Sequence, residues 1–177
     1  EARKPKLSLI ERIAASAGAY LYLYGGKVYA QTPNEITGSI GTMVSGLDLI
    51  PLLEAMGAKW IEENSNLSDR KNAKTNGLLR DQQEEKEKFI SDELDPLAQQ
   101  FRDAVRDARP ATANLPKDGN QEHPLFRGET YRSQEAIDLG LIDGIMLMEE
   151  AVQEIARMAQ EYRDKNSSVS NALKLIT

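Results

Sequence analysis

Two rhythms of apolar residues run along this chain. In the first sixty positions short apolar stretches alternate with small and turn-forming residues, and beyond residue 82 the apolar residues recur at helical steps. Leu7 to Ala15 reads as one buried strand, interrupted by Glu11 and Arg12. In Ser16 to Gly26, Tyr20, Tyr22 and Tyr24 alternate with leucines at the strand period of two. The neighbouring Ala15, Ala17, Gly18 and Ala19 argue instead for a closely packed helix, so the pattern alone leaves both open. Lys27 to Gln31 reads as a short strand, Pro33-Asn34 as a turn, and Ile36 to Val44 as a strand with two glycines. Leu47 to Met56 has the spacing of an amphipathic helix, with Leu49, Ile50, Leu53 and Met56 inward and Gly57 as its C-terminal stop. Lys59 to Ile61 reads as a further strand, and Glu62 to Gly77 as a long polar loop.

From Gln82 to Ala108 the apolar positions Ile90, Leu94, Leu97, Phe101, Ala104 or Val105, and Ala108 fall three or four apart, which is a helix. Pro96 must kink or restart it, with Asp95 as a cap. A loop to Pro124 follows, then a strand over Phe126 to Tyr131. A helix capped by Ser133 runs through Leu139 and ends at Gly140, and Leu141-Ile142 re-enters the core. The last helix runs from Glu149 to Tyr162. These elements describe one α/β domain over residues 1–163 and a polar tail over 164–177.

Composition narrows the function. The chain has 177 residues, enough for one domain with a real core, and a net charge of −6 from 22 basic and 28 acidic residues. The basic residues are interleaved with acids and make no stripe, so a nucleic-acid partner is not expected. There is no cysteine and one histidine, His123. That excludes a disulfide scaffold, a thiolate nucleophile and a histidine-rich metal site. No apolar run has membrane-spanning length, so no membrane contact is expected from these residues. Glu1 to Lys6 lead straight into a strand, which reads as the later part of a longer protein.

The chemistry-bearing stretch is Ala15-Ser16-Ala17-Gly18. Small residues beside a serine let a substrate backbone approach. A serine that opens a helix sits at the positive end of the helix dipole, where a developing oxyanion is stabilised. The same position equally suits an ordinary N-cap. His123 could serve as the base of a Ser-His pair, but its Pro- and Gly-flanked loop favours an exposed histidine. Tyr20, Tyr22, Tyr24 and Tyr29 could line a substrate groove, although core packing suits them better. Glu84 to Lys88 reads as a solvated helix face with pairs four apart.

Three stretches in order resemble the signal peptide peptidase A family of serine peptidases. Ala15-Ser16-Ala17-Gly18-Ala19-Tyr20 is similar to its nucleophile motif, and Thr37-Gly38-Ser39-Ile40-Gly41 to its Thr-Gly-Ser-Ile-Gly segment. Gly128 to Tyr131, continuing through Leu139-Gly140-Leu141-Ile142-Asp143, is similar to its late Leu-Gly-Leu-Val-Asp segment. The variant Gly38 to Met43, with Leu94-Asp95-Pro96-Leu97, looks most like the phage and prophage branch, whose members process capsid scaffolds.

The resemblance implies a crotonase/Clp-protease-like fold of ββα units with stacked parallel sheets, and therefore a helix after Ser16. It implies Ser16 as nucleophile, the Ala17 backbone N–H as an oxyanion donor, and Ser39 as the serine that orients a lysine base. Lys71 or, as the alternative, Lys74 is that lysine, since both lie ahead of the long helix. A lysine can act so if desolvation lowers its pKa. Ala17 stands where the family has a glycine. The family's upstream Ser-Pro-Gly-Gly segment, which gives a second oxyanion donor, is absent from this sequence. The expected substrate is an extended apolar peptide or protein segment, the expected assembly a homo-oligomeric ring or dome, and no cofactor or metal is implied. The expected location is cytoplasmic, or membrane-associated through a segment outside this sequence. The competing reading is a catalytically silent assembly protein that keeps the fold.

Overall fold

A computed structural model describes residues 4–72, 75 and 83–174, with side chains to residue 166. The chain divides into two units, one made of Glu1–Gly41 with Phe101–Thr177 and the other of Thr42–Gln100.

The first unit holds two three-stranded sheets. The first sheet has β1 (Leu7–Ile10), β3 (Lys27–Ala30) and β6 (Gly144–Ile145) in the order β1-β3-β6, all parallel. The second has β2 (Ile13–Ala15), β4 (Ile36–Gly38) and β5 (Thr130–Arg132) in the order β2-β4-β5. There β2 and β4 are parallel, and β5 is antiparallel to β4. The chain passes from the first sheet to the second twice in the same sense, β1 to β2 and β3 to β4. The helix α1 (Ala17–Tyr22) lies in sequence between the two passes. This repeat of two strands and a helix is the α/β arrangement expected from the sequence, with parallel pairing across both repeats.

One correction concerns Leu7 to Ala15. It is two strands in different sheets, because Arg12 takes φ 69° and turns the chain at the polar pair Glu11-Arg12. The tyrosine alternation is a helix followed by a 3-10 turn over Leu23–Gly25. Ala19, Tyr22 and Leu23 are buried while Leu21 and Tyr24 are exposed, so the buried side follows the helical step of three and four. Gly18 packs beside the Ala14 side chain of β2, in the ordinary contact that small residues permit. The strand from Ile36 ends at Gly38, since Ser39 takes φ 55°. Phe126 belongs to a 3-10 turn, Pro124–Arg127, and the strand begins only at Thr130.

The core joins Ile10, Val28 and Ala30 from the first sheet to Leu125, Leu141 and Ile142 from the late segment. Helix α5 (Ser133–Asp138) closes it. The Glu135 carboxylate accepts the Arg132 N–H at 2.9 Å, and Ser133 is its first residue, its hydroxyl donating to the Thr32 carbonyl at 2.6 Å. Gly140 follows with φ 74°, where an added Cβ would lie 2.6 Å from that of Ala111. The last helix, α6, extends over Met148–Lys174, well past the expected end at Tyr162, and its Ala151 is buried.

In the second unit, α2 (Ile50–Ala55) has no buried residue. Leu49, Leu53 and Met56, expected inward, are exposed, and Lys59 to Ile61 is irregular rather than a strand. Helix α3 (Gln83–Phe89) carries the expected surface pairing, with the Lys88 ammonium 2.8 Å from Glu84. A π-helical turn over Ile90–Leu94 leads into α4 (Asp95–Ala108), which runs from the second unit into the first. Pro96 lacks an N–H and its ring crowds the carbonyl four residues earlier. The wide turn just before it accommodates both defects without ending the helix. Asp95 is accordingly helical rather than a cap. Among the described residues no helix is long and apolar enough to cross a membrane.

Candidate active site

The candidate site lies at the C-terminal ends of β2 and β4. These strands are hydrogen-bonded neighbours with Ala15 opposite Gly38. Ser16 and Ser39 are the next residues along each strand, directly after this pair. The Ser16 N–H donates to the Gly38 carbonyl at 2.9 Å, and the Ser39 N–H to the Glu129 carbonyl at 2.7 Å.

Both serines have positive φ, 54° at Ser16 and 55° at Ser39. Ser16 combines its φ with ψ −120°, a sparsely populated backbone state for a residue with a side chain. Such a state costs about 1–3 kcal/mol and persists only where the surroundings enforce it. Ser16 precedes α1 but makes no side-chain cap bond, and it is exposed. The hydroxyl of an ordinary N-cap is spent on the helix. Here it is held on a sharp strand-to-helix turn and left to face outward. Ala17 is the first residue of α1, so its N–H has no acceptor within the helix.

Gly38 makes the arrangement possible. Its φ is 96°, and a Cβ there would lie 2.7 Å from the Glu129 carbonyl oxygen and 3.2 Å from the Tyr131 ring. Beneath Ser16 lies a buried polar chain that sequence reasoning did not single out. The Thr37 hydroxyl donates to the Ala14 carbonyl at 2.8 Å, and the Tyr22 hydroxyl lies 2.8 Å from the Thr37 hydroxyl. Burial pushes the Tyr22 phenol up to about 12. Burial, with the Glu129 carboxylate second, raises Tyr131 likewise to about 12. The signal in the sequence was Thr37 itself, immediately before the Gly38-Ser39 pair.

The late segment is tied into the first sheet. Asp143 accepts the Val28 N–H at 2.7 Å and the Arg109 guanidinium at 2.9 Å, and Arg109 also donates to the Gly26 carbonyl at 3.1 Å. This ties the start of β3 to the end of the Leu139-to-Asp143 motif.

A matching family model, described as "Peptidase family S49", covers residues 1–161. The chain belongs to peptidase family S49. A curated relative from Enterococcus faecium, named "Putative signal peptide peptidase SppA", is 28% identical over an alignment of 160 residues that covers 86% of this chain and 41% of that protein. The chain thus spans about two fifths of the length of the curated relative it matches. The resemblance drawn from the three motifs is to this S49 group, and the α/β fold with parallel strands agrees with it.

The other S49 expectations fall as follows. Ser16, Ala17 and Ser39 come together in the first unit. Lys71 belongs to the second, where it is exposed in a turn, its N–H donating to the Ser68 carbonyl at 3.1 Å. Within that unit it shares a shallow cavity with Trp60, Glu62 and Glu63. Lys74 lies outside the described residues. His123 has a structural partner of its own. Its Nδ1 accepts the Leu125 N–H at 3.1 Å, so it caps a 3-10 turn. Tyr22 is buried in the core and Tyr20 meets Phe101 edge-on at 5.3 Å, whereas Tyr24 is exposed and lines a cavity with Lys6, Leu23 and Asp107.

Proposed function

We propose that this chain carries the nucleophile of an S49 serine peptidase, with Ser16 attacking the scissile carbonyl and a lysine as its general base. The observation that carries the reading is the strained, exposed and uncapped Ser16 at the end of β2, beside Ser39.

A serine hydroxyl is a weak nucleophile and needs a base. In the proposed reaction the lysine amine takes the Ser16 proton as Oγ bonds to the carbonyl carbon. The oxyanion is met by the Ala17 N–H at the positive end of α1. The ammonium then returns the proton to the departing amine, and water resolves the acyl-enzyme by the same path. Ser39 would hold the lysine in place. Lys71 is the proposed base and Lys74 the alternative. A lysine amine serves as a base in its neutral form, which burial against bound substrate or a partner favours. Close-set small residues around Ser16 suit an extended peptide backbone. The proposed substrates are apolar segments, residual signal peptides or a capsid scaffold, processed by a homo-oligomer.

The test is intact-mass labelling of the full-length protein with a fluorophosphonate, beside Ser16→Ala, Lys71→Ala and Lys74→Ala. One adduct on the parent, lost in Ser16→Ala and in one lysine variant, is expected and identifies the base. A folded parent that takes no adduct removes the peptidase reading and leaves the silent assembly protein.

A further inference from the structure

The buried chain Tyr22–Thr37–Ala14 has a direction. A threonine hydroxyl has one proton. Thr37 gives it to the Ala14 carbonyl, so in the 2.8 Å contact with Tyr22 the phenol must be the donor. Protons therefore point from Tyr22 through Thr37 to the backbone two residues before Ser16.

The positions matter as much as the direction. Ala14 lies on β2, opposite Thr37 on β4. Tyr22 is the last residue of α1, six positions after Ser16. The chain of bonds thus links the strand that enters Ser16 to the helix that leaves it, by way of the neighbouring strand. Two backbone bonds complete the closure, Ser16 N–H to Gly38 at 2.9 Å and Tyr20 N–H to the Ser16 carbonyl at 3.0 Å. Tyr22 and Thr37 are buried, 6% and 1% exposed, so water does not replace the bonds readily.

We infer that Tyr22 and Thr37 are positioning residues that hold Ser16 in its strained, outward-facing backbone state by fixing the angle between β2 and α1. They touch no substrate. Their effect is on the chemical step, because the Oγ direction and the Ala17 N–H both follow from the turn they close. This inference rests on Ser16 being the nucleophile.

Fluorophosphonate labelling of the full-length protein separates binding (KI) from bond formation (kinact). A neutral hydrogen bond of this kind is worth about 1 kcal/mol, or roughly fivefold in rate. Tyr22→Phe should lower kinact by about five- to tenfold and leave KI within about twofold. Thr37→Val should do the same or worse, and Thr37→Ser, which keeps the hydroxyl, should retain the parent rate. Ile142→Val, a core truncation of similar cost to stability, should lower Tm without changing kinact. Labelling of Tyr22→Phe at the parent kinact, or loss of rate in Ile142→Val to the same degree, overturns the inference while Ser16 stands. A folded parent that does not label overturns the peptidase reading, and this inference with it.

Discussion

Gly38 is the residue on which the site geometry depends most directly. It supplies the carbonyl that holds the Ser16 N–H, and its φ of 96° lies where a side chain is strained. Its missing Cβ would also meet the Glu129 backbone oxygen at 2.7 Å, and a backbone atom cannot swing aside as the end of a side chain can. Gly38→Ala should therefore cost about 2 kcal/mol or more. For a chain of this size that is a fall in Tm of about 4–8 °C. Fluorophosphonate labelling of Ser16 should also slow, since β4 must move away from β5. A variant with the parent Tm and labelling rate would show that β4 tolerates a side chain there. This residue was legible in the sequence, because two glycines flanking Ser39-Ile40 mark a close backbone approach. The strain at Ser16 was not. Ordinary N-caps and strained nucleophiles use the same residue types, and only backbone angles distinguish them.

At the scale of elements, the clamp between Arg109 and Asp143 fixes β3 against the segment that precedes β6. The Arg109 side chain is 9% exposed and that of Asp143 36%. The Nε of Arg109 is buried with no partner, so the guanidinium depends on Asp143 and the Gly26 carbonyl. Removing one partner of a buried pair leaves the other charge uncompensated, at about 3–5 kcal/mol. Solvent at Asp143 lowers the figure to about 2–3 kcal/mol for Asp143→Ala. Asp143→Asn should lose less, since an amide oxygen still accepts the Val28 N–H. Urea unfolding gives the check. Arg109→Met with Asp143→Ala should cost less than the two singles added, and strict additivity would mean that the pair is not coupled. Asp143 entered the sequence reading only as the end of a motif, with no partner, because its partners lie 34 and 115 positions away. Long-range pairing of this kind leaves no local periodicity. The strand split at Arg12 was hidden for the same reason, since two polar residues in an apolar run look like noise until each half is seen to pair in a different sheet. The tyrosine run shows the opposite case. Its period of two was genuine, yet the burial of Ala19, Tyr22 and Leu23 follows the helix, so packing of small residues against β2 overrode the alternation.

At the scale of the whole molecule, the sequence between residues 42 and 67 puts an unusual weight of apolar side chains in water. Leu47, Met56 and Ile61 are 80%, 76% and 81% exposed, and Leu52, Leu53 and Trp60 about half. An amphipathic pattern predicted that these residues point inward. The pattern is sound, yet these side chains are exposed in the second unit. Single exposed leucines need no explanation, whereas a run of them marks a surface that something covers. For the homo-oligomer proposed above, that cover is a second copy of the same segment. Each such side chain contributes about 1.5–3 kcal/mol when fully buried, so a few of them can hold an interface together. The charges around them are mostly acidic, Asp48, Glu54, Glu62 and Glu63 against Lys59, which disfavours adsorption to an anionic surface. Sedimentation of the full-length protein at micromolar concentration should give a multiple of the single-chain mass. Leu52→Glu combined with Met56→Glu places two like charges one helical turn apart on that surface. The pair should shift the mass to that of one chain while leaving the circular dichroism and Tm of the first unit's core unchanged. A parent that sediments as one chain would remove the oligomer. A double variant that stays assembled would move the interface elsewhere on the molecule, and the exposed segment would then have to be covered by the extended apolar substrate instead.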